Sequence, residues 1–160
     1  KYKCLYNSLL YINRNNAETK RYQEEGLKLL SGKVDSLPSK IAFRPKFIKQ
    51  SSCIKVFDKL YLFISKANIK KPLEERFDAL FHEIGHWLHF RNIPPLKECR
   101  EIWKTANLEK IKEDVSEYAV KKDDGREFVA EVFKGLIKGK KYDEYIMNLY
   151  KRLHGPVPHD

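Results

Sequence analysis

The feature that most constrains the fold of this chain is the pattern His82-Glu83-Ile84-Gly85-His86, which lies inside a run of apolar residues at helical spacing. Between Pro72 and Phe90 the apolar side chains recur every three or four positions, and this spacing predicts an amphipathic helix. These apolar residues are Leu73, Phe77, Leu80, Phe81, Ile84 and Leu88. Residues four apart lie one turn above each other on one helix face, so both imidazoles point the same way. The sequence therefore predicts a helix that packs on the core with its apolar residues and presents two histidines and a carboxylate near one face.

This set of side chains is typical of a catalytic zinc site. Zinc favours nitrogen ligands, and catalytic sites combine three protein ligands with one position left for water. His82 and His86 can reach a single ion, and Glu83 flanks their face, where it can accept a proton from the water on the zinc ion. The alternative is a core helix whose two histidines only satisfy hydrogen bonds. The apolar neighbours favour the site, with one Zn2+ per chain, His82 and His86 as ligands and Glu83 as catalytic base.

Histidines elsewhere in the chain are weak candidates for the third ligand. His89 follows on the same predicted helix, and one helix rarely supplies three ligands to a tetrahedral ion. His154 and His159 lie beside Gly and Pro near the C-terminal end, where we expect a mobile tail.

Two glutamates are better candidates. Glu127 and Glu131 lie one turn apart near the start of a predicted helix that is otherwise partly apolar. Two carboxylates on one side of such a helix are costly to bury without a cation or hydrogen-bond donors. One carboxylate as metal ligand and the other as acceptor for a ligand histidine's second N–H would satisfy both. The alternative is a solvated acidic edge.

Around these segments the chain is predicted to form one α+β domain, 1–160, which is mostly helical with a small β-sheet. Its parts are a helical N-terminal region 1–32, the sheet 40–65, the metal helix 72–91 and the C-terminal helices 107–154 that carry the third ligand. The predicted helices are Tyr2–Asn13, Glu18–Leu30, Pro72–Phe90, Leu108–Val120, Arg126–Ile137 and Tyr142–Leu153. The predicted strands are Ile41–Phe43, Cys53–Phe57 and Leu60–Ser65, the last two joined at Asp58-Lys59.

Net charge and the lengths of apolar runs indicate which partners to expect among nucleic acids, acidic substrates and membranes. The formal net charge is +10, but the lysines are scattered and no zinc-finger, RNA-recognition or basic-zipper pattern organises them. This favours a solvated basic surface over specific nucleic-acid binding, and it also suits an acidic substrate. No apolar run is long enough to cross a bilayer, so no membrane partner is expected. The three cysteines, Cys4, Cys53 and Cys99, are far apart and are expected to be free core thiols.

The segments HEIGHWLH and SEYAVKKDDGREFVAEVF resemble the zinc peptidase family typified by the catalytic domain of anthrax lethal factor. Relatives occur as toxin-like domains and as parts of phage head-morphogenesis proteins. The family pairs a His-Glu-x-x-His helix with a downstream Ser-x-Tyr-Ala segment and a helix that begins Glu-Phe-x-Ala-Glu. The resemblance covers about Phe57 to Phe133. It departs from the family pattern between Tyr118 and Glu127, where Val120 to Arg126 is longer and more charged.

The resemblance implies a zincin-like fold in which an edge strand flanks the metal helix, and a zinc-dependent metalloendopeptidase. Glu127 would be the third zinc ligand, and Glu131 would accept a hydrogen bond from a ligand histidine. Tyr118 would be the phenol that binds the developing oxyanion, with a tyrosine at the edge of the core as the alternative.

The partner that this implies is a peptide or protein substrate. An extended peptide would pair along the edge of the strand that contains Leu62, Phe63 and Ile64. The first residue is Lys1, so the chain is expected to be part of a longer protein with further domains. Its location is left open between the cytoplasm and secretion within that larger protein.

Three alternatives to peptide cleavage remain at this point. The first is a zinc-binding module of a phage or toxin assembly that does not cleave. The second is a basic nucleic-acid-binding domain. The third is zinc-assisted hydrolysis of a bond other than a peptide bond.

Overall fold

The computed structural model describes residues 16–38, 41–44, 50–56 and 59–159, and the predicted helix Tyr2–Asn13, the turn residue Asp58 and Cys4 lie outside these ranges. Helices and one three-stranded mixed sheet make up the described fold, which confirms the α+β prediction. The α-helices are α1 (Ala17–Leu30), α2 (Leu73–Arg76), α3 (Asp78–Asn92), α4 (Leu96–Lys104), α5 (Leu108–Asp114), α6 (Arg126–Ile137) and α7 (Glu144–Arg152). The strands are β1 (Ala42–Arg44), β2 (Ser52–Val56) and β3 (Lys59–Ser65), and 3₁₀ helices cover Lys66–Lys70 and Glu117–Val120. Within the described ranges, no helix combines the length and apolar character needed to span a bilayer.

The sheet has the order β1-β3-β2, with β1 parallel and β2 antiparallel to β3. The expectation that β3 presents a free edge to a peptide was wrong. β1 pairs with the second half of β3 and β2 pairs with its first half, so Leu62, Phe63 and Ile64 lie buried in the middle of the sheet. An apolar strand of this kind is typical of positions covered on both faces. β1 and β2 are the outer strands of this sheet. Both β2 and the central strand β3 pack against α3.

The helix predicted from Pro72 to Phe90 is interrupted at Phe77, where the backbone leaves helical geometry (φ −99°, ψ 1°) and separates α2 from α3. Phe77 turns into the core, and its ring lies 5.0 Å from the ring of Tyr22 in α1. α3 is buried on nearly all sides from Leu80 to His89, as expected for a helix that is apolar around its circumference. Its polar residues in this stretch therefore need partners inside the protein.

α3 packs closely against α6, and a glycine makes this possible. A Cβ atom built on Gly85 would lie 3.1 Å from Cα of Ala130 and equally close to the ring of Phe133. Two small residues at the crossing let the helix axes approach. The His-Glu-Ile-Gly-His turn is thus held directly against the turn that contains Glu127 and Glu131.

The segment between α4 and α6 differs from the predicted long helix Leu108–Val120. α5 ends at Asp114, and Ser116 is extended (φ −177°, ψ 157°) because its side chain caps the following 3₁₀ helix. Serine side chains that bond nearby backbone compete with helix in this way. α4 was not predicted from the sequence, although Cys99 and Trp103, four residues apart, are buried on one face of it.

Candidate metal centre

Two imidazoles from α3 and one carboxylate from the first turn of α6 converge on a common point. His82, His86 and Glu127 each offer one ligand atom, and these atoms all lie within 4.8 Å of one another. Glu127 Oε2 is 3.3 Å from His82 Nε2 and 3.2 Å from His86 Nε2. The arrangement brings together the three residues that were predicted from the sequence to be ligands.

The contacts of His82 place its Nε2 against Glu127 Oε2, where either a second ring proton or a metal ion can lie between the two atoms. His82 Nδ1 lies 2.8 Å from Glu131 Oε1, so the ring donates its Nδ1–H to that carboxylate. The neutral ring then carries its lone pair on Nε2, which faces an oxygen of Glu127 that is also only an acceptor. Two acceptors 3.3 Å apart repel each other unless a proton or a metal ion lies between them.

Two of the three separations between the donor atoms match those of ligands on one zinc ion. With bonds of about 2.0–2.1 Å in a tetrahedron, two ligand atoms lie roughly 3.3–3.4 Å apart. The two separations to Glu127 Oε2 are 3.3 and 3.2 Å. Two imidazole nitrogens and one carboxylate oxygen are also a donor set that zinc prefers in catalytic sites.

The electrostatics of the metal-free site follow from burial and these contacts. Burial lowers the pKa of His82, but hydrogen bonds to Glu127 and Glu131 outweigh it and raise the pKa to about 9. Burial raises the pKa of Glu127, and the contacts with His82 and His86 more than reverse this, so the pKa lies well below its ordinary value. Burial lowers the pKa of His86, which keeps that ring neutral. A proton on His82 satisfies its contact with Glu127 in the metal-free site, and a metal ion bound there would take the place of that proton.

Glu83 is buried beside this cluster, with 6% of its surface exposed. Its Oε2 has no hydrogen-bond partner among the described residues, and the backbone N–H of Cys53 in β2 donates to the carboxylate. Burial raises the pKa of Glu83 to about 7, with the charge of Glu127 adding to the rise and the His82 charge opposing it. A carboxyl group with this pKa is suited to exchange protons near neutral pH.

Tyr118 lies at the open side of the site. It belongs to the 3₁₀ helix Glu117–Val120, and its ring stands edge-on to the His82 ring with centroids 5.5 Å apart. The side chain is 41% exposed, so the phenol faces solvent at the rim. Burial and the charges of Glu127, Glu83 and Glu131 raise its pKa, so the phenol keeps its proton and can donate it in a hydrogen bond.

The long, charged segment before Glu127 folds into a compact turn. Asp124 is buried, and its carboxylate accepts hydrogen bonds from the backbone N–H and the guanidinium of Arg126. Gly125 has a positive φ of 73°, where glycine is unstrained, and α6 begins at the next residue. This turn accommodates the charged residues from Val120 to Arg126 and leaves the Tyr118 ring in contact with the His82 ring.

Further contacts at the site were not identified from the sequence. Glu131 also receives hydrogen bonds from Ser116 and Lys134, and the Phe90 ring stacks on His86 at 5.7 Å. The spacing of Glu131 and Lys134, three residues apart on a helix, is a signal that could have revealed that ion pair. The contact between Ser116 and Glu131 joins two separate elements and has no local signal.

The remaining histidines lie away from the cluster. His89 Nε2 donates to the backbone carbonyl of Leu153 at 2.8 Å, so the ring joins α3 to the residue after α7. His154 contacts the carbonyl of Asn92, and His159 pairs with Asp35. None of these three belongs to the group of converging ligand atoms.

Comparison with known proteins adds no relatives: no protein-family model, no curated protein and no solved structure matches this chain.

Proposed function

We propose that this chain is a zinc-dependent metalloendopeptidase domain of the lethal factor-like type, with His82, His86 and Glu127 as zinc ligands. The observation that carries the proposal is the convergence of these three ligand atoms beside the buried, partly unpartnered carboxylate of Glu83. Three protein ligands with a neighbouring general base are what zinc-assisted hydrolysis requires.

The roles of the side chains follow from their positions. A zinc ion in the site supplies Lewis acidity, which makes a water molecule more acidic and polarises a carbonyl group. Glu83 accepts the proton of the attacking water and passes it to the amine that leaves, so one peptide bond breaks as one carbon–oxygen bond forms. Tyr118 donates its phenolic hydrogen to the oxygen that becomes negatively charged. Glu131 holds His82 in the tautomer that presents Nε2 to the ion.

We place the peptide along β2 rather than β3, because β3 is paired on both sides. β2 is the outer strand of the described sheet, and its residue Cys53 is hydrogen-bonded to Glu83, so this strand adjoins the catalytic carboxylate. A peptide that extends the sheet at β2 would be held mainly by backbone hydrogen bonds.

The test is digestion of a diverse peptide mixture by the zinc-loaded protein and by Glu83→Gln. The parent is expected to cleave, and Glu83→Gln to lose about 10²–10⁴-fold in turnover while it keeps its zinc, because only the proton transfer is removed. Glu75→Gln, an exposed glutamate on α2, is the matched control and should cleave like the parent. Cleavage by Glu83→Gln at the parent rate would refute the role of Glu83. A zinc-loaded parent that cleaves no peptide would favour a non-cleaving zinc module.

A further inference from the structure

The carboxylate of Glu131 is held by more contacts than the orientation of one histidine requires. Glu131 is buried, with 7% of its surface exposed. Its Oε1 accepts from His82 Nδ1 and its Oε2 from the Ser116 hydroxyl, each at 2.8 Å. Lys134 Nζ lies 2.8 Å from both oxygens. Both oxygens therefore have fixed donors, and the carboxylate has no freedom to turn away from His82.

The Ser116 hydroxyl, which donates to Glu131, also accepts a second hydrogen bond. Its oxygen accepts a hydrogen bond from the backbone N–H of Ala119 at 3.2 Å, which caps the 3₁₀ helix Glu117–Val120. That single turn carries Tyr118, whose ring meets the His82 ring edge-on. One hydroxyl group thus joins the backbone turn that carries Tyr118 to the carboxylate that orients His82.

Lys134 supplies the charge that this buried contact needs. It pairs with Glu131 three residues earlier on α6, and its side chain is largely covered. A buried carboxylate is costly unless it is paired and hydrogen-bonded. With Lys134 in place, Glu131 remains an anion that can accept from both His82 and Ser116.

We propose that Ser116 is a positioning residue, which acts through Glu131 on the zinc ligand His82 and through its cap on Tyr118, with Lys134 as the cation that keeps Glu131 in place. The inference rests on the metal site of the proposed function. It adds that metal affinity and the position of the catalytic phenol are coupled through one side chain. Ser116 itself contacts neither metal ligands nor substrate in this role.

The experiment measures zinc affinity of the full chain by competition with a chromophoric chelator, with no substrate present. Loss of a partner that orients a metal ligand weakens metal binding by about 10–100-fold. Ser116→Ala and Lys134→Met should each bind zinc about tenfold more weakly than the parent, at the lower end of that range. Ser116→Thr keeps the hydroxyl and should restore the parent affinity. With a peptide substrate, Ser116→Ala should also lower kcat more than it raises KM.

Matched controls separate positioning from loss of stability. Ser65 caps the other 3₁₀ helix, Lys66–Lys70, so Ser65→Ala removes an equivalent cap away from the site. Lys112 pairs with Glu109 at the same three-residue spacing, so Lys112→Met removes an ion pair of the same geometry at the protein surface. Neither control should change zinc affinity.

A double variant tests whether Ser116 acts through Glu131. Once Glu131→Ala has been made, adding Ser116→Ala should weaken zinc binding little further, because the contact is already lost. Additive losses, no loss in Ser116→Ala, or failure of Ser116→Thr to restore affinity would each overturn the positioning role. If the predicted affinities are found but no peptide is cleaved, the peptidase proposal fails and the positioning role stands. If the parent cleaves peptides but Ser116→Ala binds zinc as tightly as the parent, the positioning role fails and the peptidase proposal stands.

Discussion

At the scale of single residues, the environments around the candidate metal site separate the roles of otherwise similar groups. Glu83 has a raised pKa and a buried oxygen that finds no partner in the described part of the chain, whereas Glu127 and Glu131 contact histidines and have lowered pKa values. Carboxyl groups whose environments push their pKa values apart are suited to different tasks. In the proposed peptidase, this difference suits Glu83 to proton transfer, Glu127 to the metal ion and Glu131 to His82.

The role of Tyr118 is tested by Tyr118→Phe. This variant removes only the hydroxyl at the rim of the site, so we expect kcat to fall about 10²-fold while zinc content and KM stay close to the parent values. Steady-state kinetics on a cleaved peptide give the measurement. Tyr145→Phe, which removes another partly exposed phenol far along the chain, is the control. Equal kcat in Tyr118→Phe and the parent would show that Tyr118 has no catalytic role and is only a tyrosine at the edge of the core.

At the scale of secondary-structure elements, the crossing of α3 and α6 sets the distance between the histidine pair and Glu127. Gly85 meets Ala130 and Phe133 at this crossing, and no side chain fits there without a shift of one helix. The separation of the ligand atoms is therefore a property of helix packing as much as of the ligands themselves.

Gly85→Ala tests this dependence on the crossing. The added methyl group would push α3 away from α6, so we expect a loss of about 1–3 kcal/mol in the free energy of unfolding and weaker zinc binding. Gly139→Ala is the control, because Gly139 has a positive φ of 81° and no neighbour within 4 Å of an added Cβ atom. Backbone strain should destabilise the control without a change in zinc affinity. A Gly85→Ala variant that binds zinc like the parent would show that the crossing does not control the site.

His89 gives a second prediction for the packing of elements, because it ties α3 to the residue after α7. Burial lowers its pKa to about 4, and the nearby positive charge of Arg126 acts in the same direction. The unfolded chain, with a pKa of about 6.5, binds the proton more readily, so stability is lost as pH falls from about 6.5 to 4.

The lowered pKa of His89 corresponds to a loss of roughly 3 kcal/mol in the free energy of unfolding as the pH falls from about 6.5 to 4. Denaturant unfolding at several pH values, in parent and His89→Gln, isolates this contribution as the difference between the two curves. Identical pH dependence in His89→Gln and the parent would contradict the assignment.

The sequence predicted those parts of this fold that depend on local spacing. Apolar periodicity located α1, α3 and α6, and the four-residue spacing placed each pair of site residues on one helix face. The continuous apolar run of β3 indicated a buried strand but not which strands pair with it, so the choice of edge failed. The break at Phe77 depends on its contact with Tyr22 in α1, which no local pattern contains. The turn at Ser116 combines a local cap on Ala119 with a contact to Glu131 on another element, and only the second has no local signal.

At the scale of the whole molecule, the net charge of +10 leaves nucleic-acid binding as the competing function. Such binding depends on phosphate contacts, falls steeply with salt and is insensitive to a chelator. A peptidase built on the described site loses its activity with the chelator and regains it with zinc. The same basic surface is compatible with acidic peptide substrates, so charge does not decide between these functions.

The central claim is that His82, His86 and Glu127 form a zinc site, and zinc content per chain tests it most directly. The purified, zinc-reconstituted parent should contain about one zinc per chain, and Glu127→Ala should show a clear loss. Glu74→Ala, at an exposed glutamate on α2, is the control and should match the parent. A parent without zinc after reconstitution would contradict the account, and zinc retained equally in Glu127→Ala would remove Glu127 from the ligand set.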